Sequence, residues 1–122
     1  MESEYTYSCL LADRGIPLSL INPGSTEVAL YFDDALMALE MHKKNKTIIL
    51  GGDVLIEKGG ELMYVYQLWG NEYIYLNWYF KPNQNNLSDC YMASHEAALK
   101  NLCEIKKISD QFKTTCLIVF VI

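Results

Sequence analysis

His95 and Asp53 are the side chains best placed by type to do acid–base chemistry. An imidazole titrates near neutrality and can act as a general base or a ligand, and a carboxylate can orient it. A small enzyme or ligand-binding domain built on this chain would need the two to meet across a pocket. No Cys, Asp or second His stands at a spacing that completes a local site around His95. The competing reading is a hydrogen-bonded histidine in a core or groove. Asp53 follows Gly51-Gly52, but no Gly-Lys-Ser/Thr and no helix start come after it, so the stretch is not a phosphate loop. Paired glycines inside an apolar run mark a bulge, a sharp bend or a close backbone approach, and the bulge reading has Asp53 bonded to nearby backbone amides. Cys9, Cys90, Cys103 and Cys116 are too far apart for a zinc half-site. They read as free thiols, buried or half-buried. No cofactor is implied.

The elements that would position these groups follow from composition and pattern. The 122 residues suit a single domain, 1–122, with one core. The net charge is −5, from 15 acidic against 10 basic residues, which argues against a sequence-independent nucleic-acid binder. No apolar run is long enough to span a membrane, and the start, Met1-Glu2-Ser3-Glu4-Tyr5, does not look like an export signal. A cytoplasmic location is expected.

A first helix is predicted over residues 3–13, capped by Ser3 and ended by Gly15 and Pro17. A short helical turn between Ile16 and Ile21 and a turn at Asn22-Pro23-Gly24 come next. Val28–Phe32 reads as a strand. Asp33 and Asp34 open a second helix that runs to about Lys44, its acids and bases matching the macrodipole. Residues 46–80 read as three strands and hold both tryptophans and five of the nine tyrosines. The first two are joined by a Gly59-Gly60 loop that suits a hairpin. In the third, alternation puts Ile74, Leu76, Trp78 and Phe80 on one face and Tyr73, Tyr75, Asn77 and Tyr79 on the other. A long helix follows from Ser88, its predicted cap, to about residue 107. Its apolar face carries Tyr91, His95, Ala98, Leu102 and Ile105, and Glu96 and Lys100 are spaced as an i,i+4 pair. Thr114–Ile122, apolar on both faces, reads as a central strand. The sum is an α+β domain: a largely antiparallel sheet of about five strands, with two or three helices packed mainly on one face.

The aromatic strands and their acids look like a surface for holding a partner. Interface anchors favour Tyr and Trp. The candidate contact residues are Tyr73, Tyr75 and Tyr79, with Trp69 and the acids Asp53, Glu57, Glu61 and Glu72. A tyrosine-bearing strand could also pair with its own copy, giving a homodimer.

Several features taken together resemble a known family. These are Asp34-Ala35-Leu36, Ala38-Leu39-Glu40, Ile49-Leu50-Gly51-Gly52-Asp53-Val54, Asn77-Trp78-Tyr79 before Pro82, a helix with Ser94 and Ala97, and a final apolar strand. In this order they resemble the immunity protein 40 family of bacterial polymorphic toxin systems, over roughly residues 8–122. Residues 70–76 look longer than that family's link into Asn-Trp-Tyr, and Tyr91, Met92 and Ala93 stand where it would place a basic residue. The resemblance implies a small cytoplasmic protein that binds and neutralises a cognate toxin domain. It implies no catalytic residues.

Overall fold

The structure, a computed structural model, describes residues 5–82 and 87–122, with residues 87 and 88 as backbone only. Helix α1 (Tyr7–Arg14) leads into the short strand β1 (Ile16–Pro17), a 3-10 turn (Leu18–Leu20) and β2 (Val28–Tyr31). Helix α2 (Phe32–Lys44) crosses to β3 (Gly51–Lys58), which turns back as β4 (Glu61–Tyr64). A one-turn helix α3 (Val65–Leu68), a 3-10 segment (Asn71–Leu76) and β5 (Trp78–Tyr79) precede the long helix α4 (Leu87–Gln111) and β6 (Thr115–Val121). The architecture is the α+β class expected from the pattern.

Among the described residues the sheet has six strands, in the order β1-β2-β6-β3-β4, with β5 paired to β3 off that path. Every pairing is antiparallel. β6 is central, as its unbroken apolar run required: Val54 lies opposite Ile118, and Leu55 opposite Leu117. One face of the sheet carries Leu30, Val54, Ile56, Cys116, Ile118 and Phe120, and all four α-helices pack there. The other face carries Ala29, Leu55, Leu117 and Val119, covered by Leu18 and Ile21 from the connection between β1 and β2 and flanked by Ile16, Tyr31, Leu62 and Tyr64. No helix packs on this second face among the described residues; its middle is buried, and its end at Asp53, Tyr79 and Val121 is exposed.

Residues 65–77 depart from the predicted strands. Tyr64 N–H donates to the side chain of Gln67 at 2.8 Å, starting a helical turn where the apolar run looked extended. Gly70, at φ +104°, then bends the chain into the 3-10 segment. A repeat of three replaces the predicted alternation. Tyr73 and Leu76 therefore turn inward, and Ile74 and Tyr75 stay exposed. Smaller corrections follow the same logic of local hydrogen bonding. α1 begins at Tyr7, capped by Thr6, whose hydroxyl accepts from Cys9 N–H at 3.3 Å. The predicted caps Ser3 and Ser88 lie outside the described side chains. Glu96 and Lys100 form no ion pair; the i,i+4 pair in α4 is Lys106–Asp110, at 3.0 Å. Cys9 and Cys103 are exposed thiols, not buried ones, and Cys90 and Cys116 are buried.

The buried line of α4 also differs from the predicted one. It runs through Cys90, Ser94, Ala98, Leu102 and Ile105, with Tyr91 and His95 at its margin. The buried Ser94 hid the start of this line from a reading based on apolar residues. Ser94 Oγ accepts from Ile49 N–H at 3.2 Å and donates to the Tyr91 carbonyl at 2.9 Å. Ser109 Oγ donates to the Thr114 carbonyl at 2.6 Å, fastening the end of α4 to the start of β6.

Candidate functional site

The two stretches that carry the family resemblance meet in space. Gly51 and Gly52 pair with Tyr79 and Trp78. A Cβ on Gly52 would lie 2.2 Å from the Trp78 ring, and one on Gly51 would lie 2.3 Å from the Trp78 carbonyl oxygen. The glycine pair is thus a close backbone approach and not a bulge. The expected bonding of backbone amides by Asp53 is corrected too. Val54 N–H donates to Asn77 Oδ1 at 2.7 Å, and the Asp53 carboxylate makes no hydrogen bond among the described residues. Gly-Gly-Asp-Val and Asn-Trp-Tyr act on each other as a lock inside the fold.

This lock shapes the edge of the sheet. β4 covers β3 from Leu55 to Lys58, and β5 covers it at Gly51 and Gly52. Between them β3 has no strand partner on that side among the described residues, and the excursion of residues 65–77 leaves a hollow. Its walls include Leu18, Glu27, Asp53, Tyr64, Tyr66 and Ile74, and its volume is about 260 Å³. A broader hollow of about 590 Å³ adjoins it, lined by Ile16, Leu20, Glu57, Glu61, Leu62 and, again, Tyr64. Both open on the sheet face away from the helices.

Register shows which predicted contact residues share that face. Residues directly opposite in an antiparallel pair project to the same side. Tyr79 is level with Gly51 and Val121, Asp53 with Val119, and Tyr64 with Leu55 and Leu117. Asp53, Glu57 and Tyr79 therefore rise from the open face, and Glu61 stands at its rim. Tyr79 is 81% exposed. Tyr31 Oη donates to the Glu57 carboxylate, and this bond, foremost, raises the Tyr31 pKa. Asp53 is exposed overall, yet partial desolvation of its carboxylate by the walls of the hollow raises its pKa above the ordinary carboxylate value. Among the described residues, neither hollow is lined by a lysine, arginine or histidine.

The other predicted residues separate from this group. Trp69, expected at the surface, is only 5% exposed and stacks on Phe112 with ring centroids 5.5 Å apart, because α3 turns it into the core. Tyr73 is half-buried, edge-on to Trp69 and to Phe112. Tyr75 and Glu72 are exposed on the 3-10 segment, whose Ile74 forms part of the smaller hollow's wall.

The pairing of His95 with Asp53 is not formed. Asp53 rises from the open face, whereas His95 lines a groove between α2 and α4 on the helical side, with Leu39, Lys43 and Tyr91. The sheet stands between them. His95 Nε2 is buried without a hydrogen-bond partner among the described residues, so the hydrogen-bonded reading of this histidine fails as well. No group of three His, Cys, Asp or Glu side chains converges as a metal site among the described residues.

Reading the sequence missed Glu27, Tyr31, Tyr64 and Tyr66 as parts of the open face. Tyr64 and Tyr66 stack with centroids 6.0 Å apart and planes within 8°. Their place in an aromatic run was visible. Glu27, in a loop distant in sequence from β3, gave no such signal.

Residues 17–122 match the family model described as Immunity protein 40. The chain belongs to the Immunity protein 40 family. No curated protein and no solved structure matches it. For this family member, the resemblance seen in short motifs extends over most of the chain. No helix among the described residues is long and apolar enough to cross a membrane.

Proposed function

We propose that this chain is a non-enzymatic immunity protein that binds a cognate polymorphic-toxin domain in the cytoplasm and neutralises it by occupying its surface. The observation that carries this reading is membership of the Immunity protein 40 family across residues 17–122. The open sheet face supports a place for the contact. It offers carboxylates at Asp53, Glu57 and Glu61 and an exposed aromatic ring at Tyr79, with no positive side chain lining its hollows among the described residues. Aromatic anchors with a charged surround suit protein recognition, and complementary charge speeds encounter and rejects wrong partners. Tyr75, Glu72 and the half-buried Tyr73 extend the contact along the 3-10 segment. Trp69 has no part in it beyond supporting Tyr73 from within the core.

The test is co-expression with the toxin domain encoded beside this gene, with any tag on the N-terminus. Restored growth and a complex that survives purification would support the reading. Growth arrest that persists despite soluble immunity protein would refute it.

A further inference from the structure

The smaller hollow beside Asp53 is a more specific feature than an acidic surface. It lies where β3 lacks a strand neighbour, so its shape is set by the backbone path of residues 65–77. Two carboxylates, Glu27 and Asp53, come from separate parts of the chain to its wall. Tyr64 and Tyr66 add parallel rings, and Tyr66 is 52% exposed. At about 260 Å³ the hollow is smaller than the roughly 300–1,000 Å³ of typical small-molecule sites, and nearer the scale of one inserted side chain.

We infer that this hollow receives an arginine side chain of the bound toxin domain, its guanidinium set against Asp53 and Glu27 and over the face of Tyr66. Three properties select arginine. A planar guanidinium can bond two carboxylates at once, it stacks on an aromatic face, and it is less strongly hydrated than an ammonium group. Partial desolvation already disfavours the charged form of Asp53, and a cation beside it relieves that cost. A second copy of this chain is a poor donor. Its sequence contains one arginine, Arg14, which is held by Asp34 at 2.9 Å. The arginine therefore comes from another protein. That the other protein is a toxin rests on the function proposed above.

The experiment has two arms. In the first, the full chain labelled with nitrogen-15 is titrated with acetyl-Gly-Arg-Gly-amide and with the same peptide carrying lysine or citrulline. The arginine peptide should shift the amide signals of Asp53, Tyr64 and Tyr66, the lysine peptide should bind more weakly, and the citrulline peptide should leave these signals in place. Asp53→Asn, a substitution at an exposed position, should weaken the arginine peptide about fivefold. Shifts scattered over the acidic surface, equal binding of citrulline or lysine, or indifference to Asp53→Asn would overturn the inference. In the second arm, affinity for the toxin domain is measured with wild type and Asp53→Asn. A loss that is not compounded by removing one particular toxin arginine identifies that arginine as the occupant. Unchanged toxin affinity for Asp53→Asn would overturn the assignment of the hollow to a toxin arginine. Failure of the wild type to bind the toxin domain would instead refute the proposed function, with the peptide arm still deciding whether the hollow takes arginine.

Discussion

Lowering the pH should destabilise the fold through His42. This side chain is only 2% exposed, sits edge-on to Tyr7 at 4.4 Å and Phe120 at 5.6 Å between ring centroids, and has no hydrogen-bond partner for Nε2 among the described residues. Burial first, and the charge of His95 second, lower its pKa from 6.5 to about 4. Between these two values the unfolded chain binds a proton that the folded chain refuses. Stability is therefore unaffected by His42 above the upper value and falls as pH drops through the window. From pH 7 to pH 5 the loss should be about 2 kcal/mol, rising to about 3 kcal/mol below pH 4. Urea unfolding followed by tryptophan fluorescence at pH 7, 6 and 5 would measure it. The companion variant His42→Leu, of similar volume, removes the titrating group. The pH dependence of wild type minus that of the variant isolates the His42 contribution together with its coupling to His95. Equal pH dependence in the two proteins would refute the reasoning, because burial would then not be excluding the proton.

Other perturbations test the lock between the two family motifs and the role of the last strand. Gly52→Ala should cost about 2 kcal/mol in chemical denaturation, because its Cβ meets the Trp78 ring. Combined with Trp78→Ala it should cost less than the sum of the two single changes; strict additivity would speak against the contact. Asn77→Ala should cost about 1 kcal/mol by leaving Val54 N–H without its 2.7 Å acceptor, and faster amide exchange at Val54 should accompany it. Removal of Phe120–Ile122 should abolish cooperative thermal unfolding. It deletes a core ring and the Val121 carbonyl that accepts from Leu50 N–H at 2.7 Å. A sharp transition in the truncated chain would contradict a structural role for this strand end.

Much of this fold is legible in the sequence, and the parts that are not have a common cause. β6 shows as a continuous apolar run because both of its faces are buried, and α2 shows through its charges and its Asn45 end. Residues 65–77 misled because Val, Ile and Tyr favour strands, while the segment's conformation depends on a side-chain bond from Gln67 and a left-handed Gly70. Side-chain direction followed from that error: an alternating strand would show Tyr73, whereas the 3-10 repeat half-buries it and exposes Ile74. Of the candidate contacts, Asp53, Glu57 and Tyr79 could be placed on one face only once the register was known. Glu27 reaches the same hollow by tertiary folding alone.

On the proposed function, the open sheet face, and not the helical side, meets the toxin domain. Isothermal titration of that domain into three proteins would test it most directly: wild type, Asp53→Lys with Glu61→Lys, and Met92→Lys with Leu99→Lys. All four substituted side chains are exposed, Asp53 and Glu61 at the open face and Met92 and Leu99 along the groove between α2 and α4. The open-face pair should weaken binding about a hundredfold or more through reversed charge, while the helical-side pair should bind like wild type. Full affinity in the open-face variant, with binding lost in the helical-side variant, would contradict the account.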